Sequence, residues 1–201
     1  MALANITEKN LNIEYIRFQC KLYNTRLQSN YEIIKSTIVT NPGLRFHEIK
    51  KETNLANGTL QHHITQLIKT KSIKAVYDKS IPRYFQTEFD TTSETIIKRL
   101  TQKTPSRIIK SLLKKKCQTF SQIVAFAKKS PGTVSIYKNM LLEDGIIVGD
   151  TVGCGNSNHS SNRIKYRLAE REKIIALVEE YGKSSLKRSA DNLADVFLAI
   201  K

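Results

Sequence analysis

The 201-residue sequence predicts a mainly α-helical chain with small β-hairpins, an α+β class, on three observations. It aligns with itself, without a gap, when shifted by 74 residues. Each aligned copy carries three runs with helical spacing, then two strand-like runs. Finally, 33 Lys and Arg stand against 18 Asp and Glu, a formal net charge of +15 that favours a polyanionic partner.

At that shift Phe46, Ile49, Gly58, Thr59, Leu60, His63 and Leu67 fall on Phe120, Ile123, Gly132, Thr133, Val134, Tyr137 and Leu141. Ile34 falls on Ile108, Ile38 on Leu112, Val39 on Leu113 and Ile73 on Ile147, so the match spans a folding unit rather than one helix. Self-similarity over that length predicts two similar domains.

In the first copy, residues 31–39 set Ile33, Ile34, Thr37 and Ile38 at helical spacing, and Asn41-Pro42-Gly43 ends the helix. Proline lacks the amide the next turn needs, and glycine accepts open backbone. Residues 45–53 put Phe46 and Ile49 on one face of a short second helix. After a turn at 54–57, a third helix over 58–70 repeats Leu60, His63, Ile64 and Leu67 at three and four, which turns the intervening polar residues outward. Residues 73–77 and 83–87 read as two strands joined by a turn. Three helices followed by a hairpin is the winged helix-turn-helix order.

The second copy repeats that order. Residues 106–116 and 119–128 are its first two helices, and Ser130-Pro131 opens the third with a side-chain cap and a proline at the first helical position. Its hairpin runs over 146–150 and 164–168. Matching Tyr84 to Tyr166 requires eight inserted residues, which fall in 151–163, where Gly153, Gly155, Asn156, Ser157, Asn158, Ser160 and Ser161 suit a long flexible wing tip.

These signals divide the chain into an N-terminal helical extension over 1–28, with a mixed-polarity helix around 11–27, a first winged unit over 29–90, a second over 91–169, and a helical segment over 170–201. The last is expected as one helix or two, broken near Gly182. In it Leu186, Ala190, Leu193, Phe197 and Ile200 form an apolar stripe of coiled-coil type, short for a coiled coil but fit to pack on a domain or to join a homodimer. The charge is uneven: residues 91–170 hold 14 basic and 5 acidic side chains, against 9 and 6 in 31–90, so the second unit is the expected phosphate anchor.

In a winged unit the third helix can enter the major groove, where every base pair shows a distinct donor and acceptor pattern. The outward residues are Asn57, Thr59, Gln61, His62, Thr65 and Gln66 in the first copy, and Thr133, Ser135, Ile136, Lys138 and Asn139 in the second. The two helices would read different sequences. Gln61 suits an adenine edge, His62 a guanine acceptor or a phosphate, and first-turn amides near Thr59 a phosphate. His63 and Tyr137 fall on the inward face and are expected to pack.

Arg83 and Lys165 stand at matching places in the returning strands, Lys79 at one wing tip and Arg163 near the other. With Arg45, Lys128 and Lys129 they are candidates for phosphate or minor-groove contact. The ordinary alternatives are a solvated surface and, for lysines at helix ends, a favourable helix dipole.

Cys20, Cys117 and Cys154 are odd in number and far apart, and read as free thiols rather than a disulfide framework or a zinc site. Cys154 and His159 share a loop, but two ligands do not make a metal centre, and no metal or other cofactor is expected. No phosphate loop, nucleophile elbow or carboxylate pair is present, so no catalytic residue is assigned and the chain reads as a non-enzyme. Met1 to Asn10 lacks the layout of a signal peptide, and no apolar run reaches membrane length, so the expected location is cytoplasmic, on the nucleoid.

The run Asn41-Pro42-Gly43-Leu44-Arg45-Phe46, followed by Ile49, by Leu55-Ala56-Asn57-Gly58-Thr59-Leu60 with His63, Ile64 and Leu67, and by Arg83-Tyr84-Phe85, resembles archaeal winged helix-turn-helix regulators of the ArsR and MarR superfamily. Ser130 through Tyr137, with Leu141 and Asp144-Gly145-Ile146-Ile147, resembles the same recognition helix and wing entry, and together the copies cover about 31–168. The resemblance implies duplex DNA binding through the third helix and wing, often by a dimer. The chain departs from metal-sensing members in lacking a cysteine pair in the recognition region. The leading expectation is a sequence-specific transcription regulator. The alternatives are an architectural, chromatin-like DNA-binding protein and a protein-docking subunit of a transcription or replication assembly, with 31–90 the better docking candidate.

Overall fold

The computed structural model describes residues 29–78, 80–150, 164–186 and 196–198. The expected helix over 11–27, the wing tip over 151–163 with Cys154, His159 and Arg163, Lys79, and most of the C-terminal stripe lie outside them. Eight helices and five strands are named within them.

Helix α1 (Asn30–Thr40) starts where the Glu32 amide donates to Ser29 Oγ at 3.3 Å, and it buries Ile34 and Ile38, one turn apart. Asn41, Pro42 and Gly43 end it, the last at φ +81°. In α2 (Phe46–Thr53) the Glu48 carboxylate reaches back to accept the Arg45 amide at 2.7 Å, and Asn54 closes the helix in the left-handed conformation. Helix α3 (Asn57–Lys69) follows, burying Leu60, Ile64 and Leu67. The antiparallel hairpin of β1 (Ile73–Asp78) and β2 (Ile81–Gln86) completes this order, with Asp78 opposite Ile81 at its tight end.

Helix α4 (Thr91–Leu100) was not anticipated. Asp90 caps it by accepting the Ser93 amide at 3.0 Å, and its amphipathic face buries Ile96, Ile97 and Leu100. Helix α5 (Lys103–Lys114), strand β3 (Gln118–Thr119), α6 (Phe120–Ala127), α7 (Pro131–Glu143), and strands β4 (Ile147–Asp150) and β5 (Lys165–Leu168) then repeat the order of three helices and a hairpin, the strands forming a sheet in the order β3-β5-β4. Strand β3 is a further addition to the expected elements. Its pair Gln118↔Tyr166 has a counterpart in the bridge Leu44↔Tyr84. Left-handed Asn54 and Lys128 end α2 and α6, and left-handed Lys71 and Gly145 turn the chain into the two hairpins.

Of the two expected arrangements, one helix or two broken near Gly182, helix α8 (Arg171–Leu186) runs unbroken through Gly182. A Cβ at Gly182 would lie 2.6 Å from Phe197, so this glycine serves close packing of the 196–198 turn rather than termination. Cys117 is disulfide-bonded, which corrects its reading as a free thiol, because separation along the chain does not limit proximity in space. No helix among the described residues is long and apolar enough to cross a membrane.

Two buried clusters hold these elements. One joins Ile34, Ile38, Ile49, Leu60, Ile64, Leu67 and Ile73. The other gathers Ile108, Leu112, Ile123, Val134, Leu141 and Ile147, and extends to Phe85 of β2, Ile97 of α4, Val178 of α8 and Phe197. Burial of side chains of this size contributes about 1.5–3 kcal/mol each. Phe85 thus points away from its own helices and packs in the second cluster with Ile96, Ile97 and Leu100 of α4. Gly43 sits at this seam: a Cβ there would lie 3.0 Å from Ile97 and 3.1 Å from Phe85.

A polar joint crosses the seam. Arg99 of α4 grips the Asp144 carboxylate, at the end of α7, through Nε and, at 3.2 Å, through a terminal nitrogen. Its other terminal nitrogen lies 3.6 Å from Asp78 at the end of β1, whose carboxylate also accepts from Gln102 at 2.6 Å. One guanidinium therefore ties the first hairpin to the end of α7. Lys74 of β1 pairs with buried Glu94 of α4, and Lys173 of α8 with Asp90, closing the same seam from two further sides.

Candidate nucleic-acid interface

Helix α3 is held from behind by Leu60, Ile64 and Leu67, packed in one cluster with Ile34 and Ile38 of α1. That inner face sets the outer one. Asn57, Gln61, His62 and Gln66 are exposed, whereas Thr59 and Thr65 are half-buried, and the Thr65 hydroxyl donates to the Gln61 carbonyl at 2.8 Å. His62 meets His63 edge to face, with ring centres 5.3 Å apart. His63 is half-buried and its Nδ1 lacks a hydrogen-bond partner among the described residues. No side chain caps the start of α3, where Ala56 stands at the N-cap, so first-turn amides face outward without an internal acceptor.

Helix α7 begins differently. Ser130 accepts the Thr133 amide at 3.3 Å and is hydrogen-bonded to the Thr133 hydroxyl, so its first turn is already partnered. Behind it, Val134 and Leu141 are buried and Tyr137 packs on the second cluster. Ile136 is 69% exposed, a large apolar side chain with no packing reason to face outward, and Asn139 is exposed beside it. Thr133 and Ser135 are half-buried. Lys138 is drawn against the protein, its ammonium 5.2 Å from the Tyr166 ring and 5.9 Å from Phe120, which corrects the expectation of a wholly outward side chain. Cation and ring attract through the ring quadrupole, and this orients Lys138 along the second wing.

The wing candidates separate sharply. Lys128 and Lys129 are exposed in the turn between α6 and α7, and Lys165 is half-buried in β5 opposite Asp150 and Thr119. Arg45 is half-buried at the start of α2. Arg83 is only 2% exposed and donates to the Gly43 carbonyl at 2.9 Å, which corrects its assignment to phosphate contact. Arg83, Tyr84 and Phe85 are all buried because β2 is covered on both faces, by its own helices and by the seam, so strand alternation does not carry Arg83 to solvent. Lys79 and Arg163 lie outside the described residues.

Among the described residues, no group of three or more His, Cys, Asp or Glu side chains could hold a metal ion. Perturbed acidities mark packing. Hydrogen bonds with Ser72 and Thr70 hold the Tyr31 phenol below its ordinary value, tying the start of α1 to the turn after α3. Burial raises Tyr84, and burial with the neighbouring Glu180 pushes Tyr181 up to about 12. The residues whose contacts the sequence did not reveal are Arg99, Asp78 and Asp144, which tie the end of β1 to the end of α7 through α4. Their contacts span 21 and 45 positions, and no local pattern encodes such a meeting.

A family model described as "N-terminal HTH domain" matches residues 28–97, about a third of the chain, taking in α1, α2, α3, the first hairpin and the start of α4. Residues 28–97 therefore carry a helix-turn-helix. No curated protein matches the chain.

Proposed function

We propose that this chain is a non-catalytic, duplex-DNA-binding transcription regulator built as two winged helix-turn-helix units in tandem, with α3 and α7 as its recognition helices. The observation that carries the reading is the outer face of α3. Four polar, uncharged side chains, Asn57, Gln61, His62 and Gln66, stand exposed on a helix fixed from behind by three buried aliphatic residues, inside the segment that the helix-turn-helix model matches. Amide side chains at such positions discriminate bases by paired donors and acceptors, worth about 1–3 kcal/mol per bidentate contact. On α7, exposed Ile136 suits a thymine methyl and Asn139 a base edge. The open first turn of α3 suits a phosphate.

One observation favours a second, architectural reading. Lys114, Lys115, Lys116, Lys128 and Lys129 are all exposed, and a surface of that kind binds any duplex through counterion release. The test measures affinity for random-sequence duplex against fragments enriched from the native genome, at two salt concentrations. The regulator reading expects enriched fragments to bind roughly a thousandfold tighter. Uniform binding that collapses with salt establishes the architectural reading, and no duplex binding at low salt defeats both in favour of protein docking.

A further inference from the structure

Away from the outward faces of α3 and α7, the molecule has a cavity of about 320 Å³ between α5, the end of α6 and the C-terminal turn. Its walls carry Arg107, Lys110 and Lys114 from one face of α5, Lys128 from the left-handed turn after α6, and the apolar surfaces of Phe126 and Val196. No acidic side chain lines it among the described residues. Among the described residues none of its four cations is in an ion pair, although the molecule pairs Lys74, Arg99 and Lys173 with carboxylates elsewhere.

We propose that this cavity binds a small polyanion bearing two or more phosphoryl groups. Four like charges converging on one concavity repel one another, and a multiply charged anion relieves that repulsion while gaining several charge-assisted hydrogen bonds. Arg107 and Lys110 are half-buried, so an anion beside them is partly sheltered from water and from screening salt. Arg107 is already oriented, because its guanidinium donates to the Ala127 carbonyl at 3.1 Å and so keeps further N–H groups in a fixed fork. Lys114 lies over the Phe126 ring at 5.7 Å, which limits its freedom in the same way. Lys114 and Lys128 are exposed and shared with the basic surface open to a duplex, whereas Arg107 and Lys110 are half-buried in the recess, which admits a small molecule more readily than a duplex backbone. Phe126 and Val196 give the recess an apolar wall, which suits a phosphorylated compound with a ring, a nucleoside polyphosphate being the natural probe.

The experiment is calorimetric titration of the full chain with inorganic pyrophosphate and with ATP, at low and at physiological salt. It is repeated on Lys110→Ala/Lys114→Ala and on the control Lys50→Ala/Lys51→Ala, which removes two exposed lysines of α2. Saturable 1:1 binding is expected, weakened roughly tenfold or more by the α5 pair and unchanged by the control. Tighter binding of ATP than of pyrophosphate would show that the apolar wall contributes. Equal binding would place recognition in the phosphoryl groups alone, and either result supports the proposal. No saturable binding overturns it, as does binding that survives the α5 substitutions or falls equally in the control. The same variants are titrated with random duplex. If the α5 pair lowers duplex affinity as far as pyrophosphate affinity, and saturating duplex expels the probe, the cavity belongs to the duplex surface and the proposal fails while the DNA-binding reading stands.

Discussion

The stretch from α1 to β2 and the stretch from α5 to β5 share an element order and differ in what they expose. The first sets neutral side chains on α3, leaves the first turn of that helix uncapped, and folds the arginine of its returning strand inside. The second caps α7 with Ser130, draws Lys138 over the rings of Tyr166 in β5 and Phe120 in α6, and exposes lysines on both sides of α6. The difference teaches that one scaffold can divide two tasks. On the proposed reading α3 discriminates among bases, because neutral donors and acceptors are informative there, while the second stretch supplies attraction that no base pair modulates.

The largest effect is expected at the joint that makes the two stretches one body. Arg99→Ala leaves Asp78 and Asp144 partly buried without their shared cation, and should lower stability in urea unfolding by about 3 kcal/mol. A loss below ~1 kcal/mol would mean that the apolar seam alone sets the geometry. Gly43→Ala comes next, at about 2 kcal/mol, because it combines a left-handed backbone with a crowded seam. The same assay on Gly145→Ala, whose Cβ would meet nothing within 4 Å, isolates the backbone part and should cost less.

The division of tasks itself is sharpened by a pair of double variants. Gln61→Ala/His62→Ala should reduce the preference for enriched over random duplex by roughly 10- to 100-fold and leave the salt dependence nearly intact. Lys128→Ala/Lys129→Ala should weaken binding to all duplexes alike and flatten the log–log salt slope by about 2. If the lysine variant changes preference and the α3 variant changes only the slope, the assignment is reversed. The smallest effect concerns Asp90, whose carboxyl is held below its ordinary range by Lys173 first and by Ser93. A group depressed in the folded state stabilises above its unfolded value of about 3.9 and loses that contribution as pH falls further. The stability difference between the parent chain and Asp90→Asn should therefore be present at pH 7 and fade below pH ~4 in thermal unfolding.

Much of this was legible along the chain, element by element. The breaks at Asn41-Pro42-Gly43 and at Ser130-Pro131 are chemical, and they fall where α1 ends and α7 begins. The outward positions of α3 follow from the spacing of Leu60, Ile64 and Leu67, and Gln61, His62 and Gln66 are exposed as that spacing requires. Arg83 was not legible as a buried residue because its place in a returning wing strand says nothing of the seam that covers the second face of β2. Gly182 escaped because its neighbour Phe197 is remote in sequence.

What the sequence determined by itself is therefore local: where helices start and stop, which residues of each face inward, and where the positive charge lies. These depend on interactions within a few positions, which periodicity and side-chain chemistry report directly. Tertiary structure alone decided that Phe85 packs with α4 in the second cluster, that Arg99 joins Asp78 to Asp144, that Arg83 turns inward, and that four cations from α5 and the α6–α7 turn share one recess. Those meetings are set by the packing of whole elements, to which every residue of the core contributes a little and no short run of sequence contributes enough to be read.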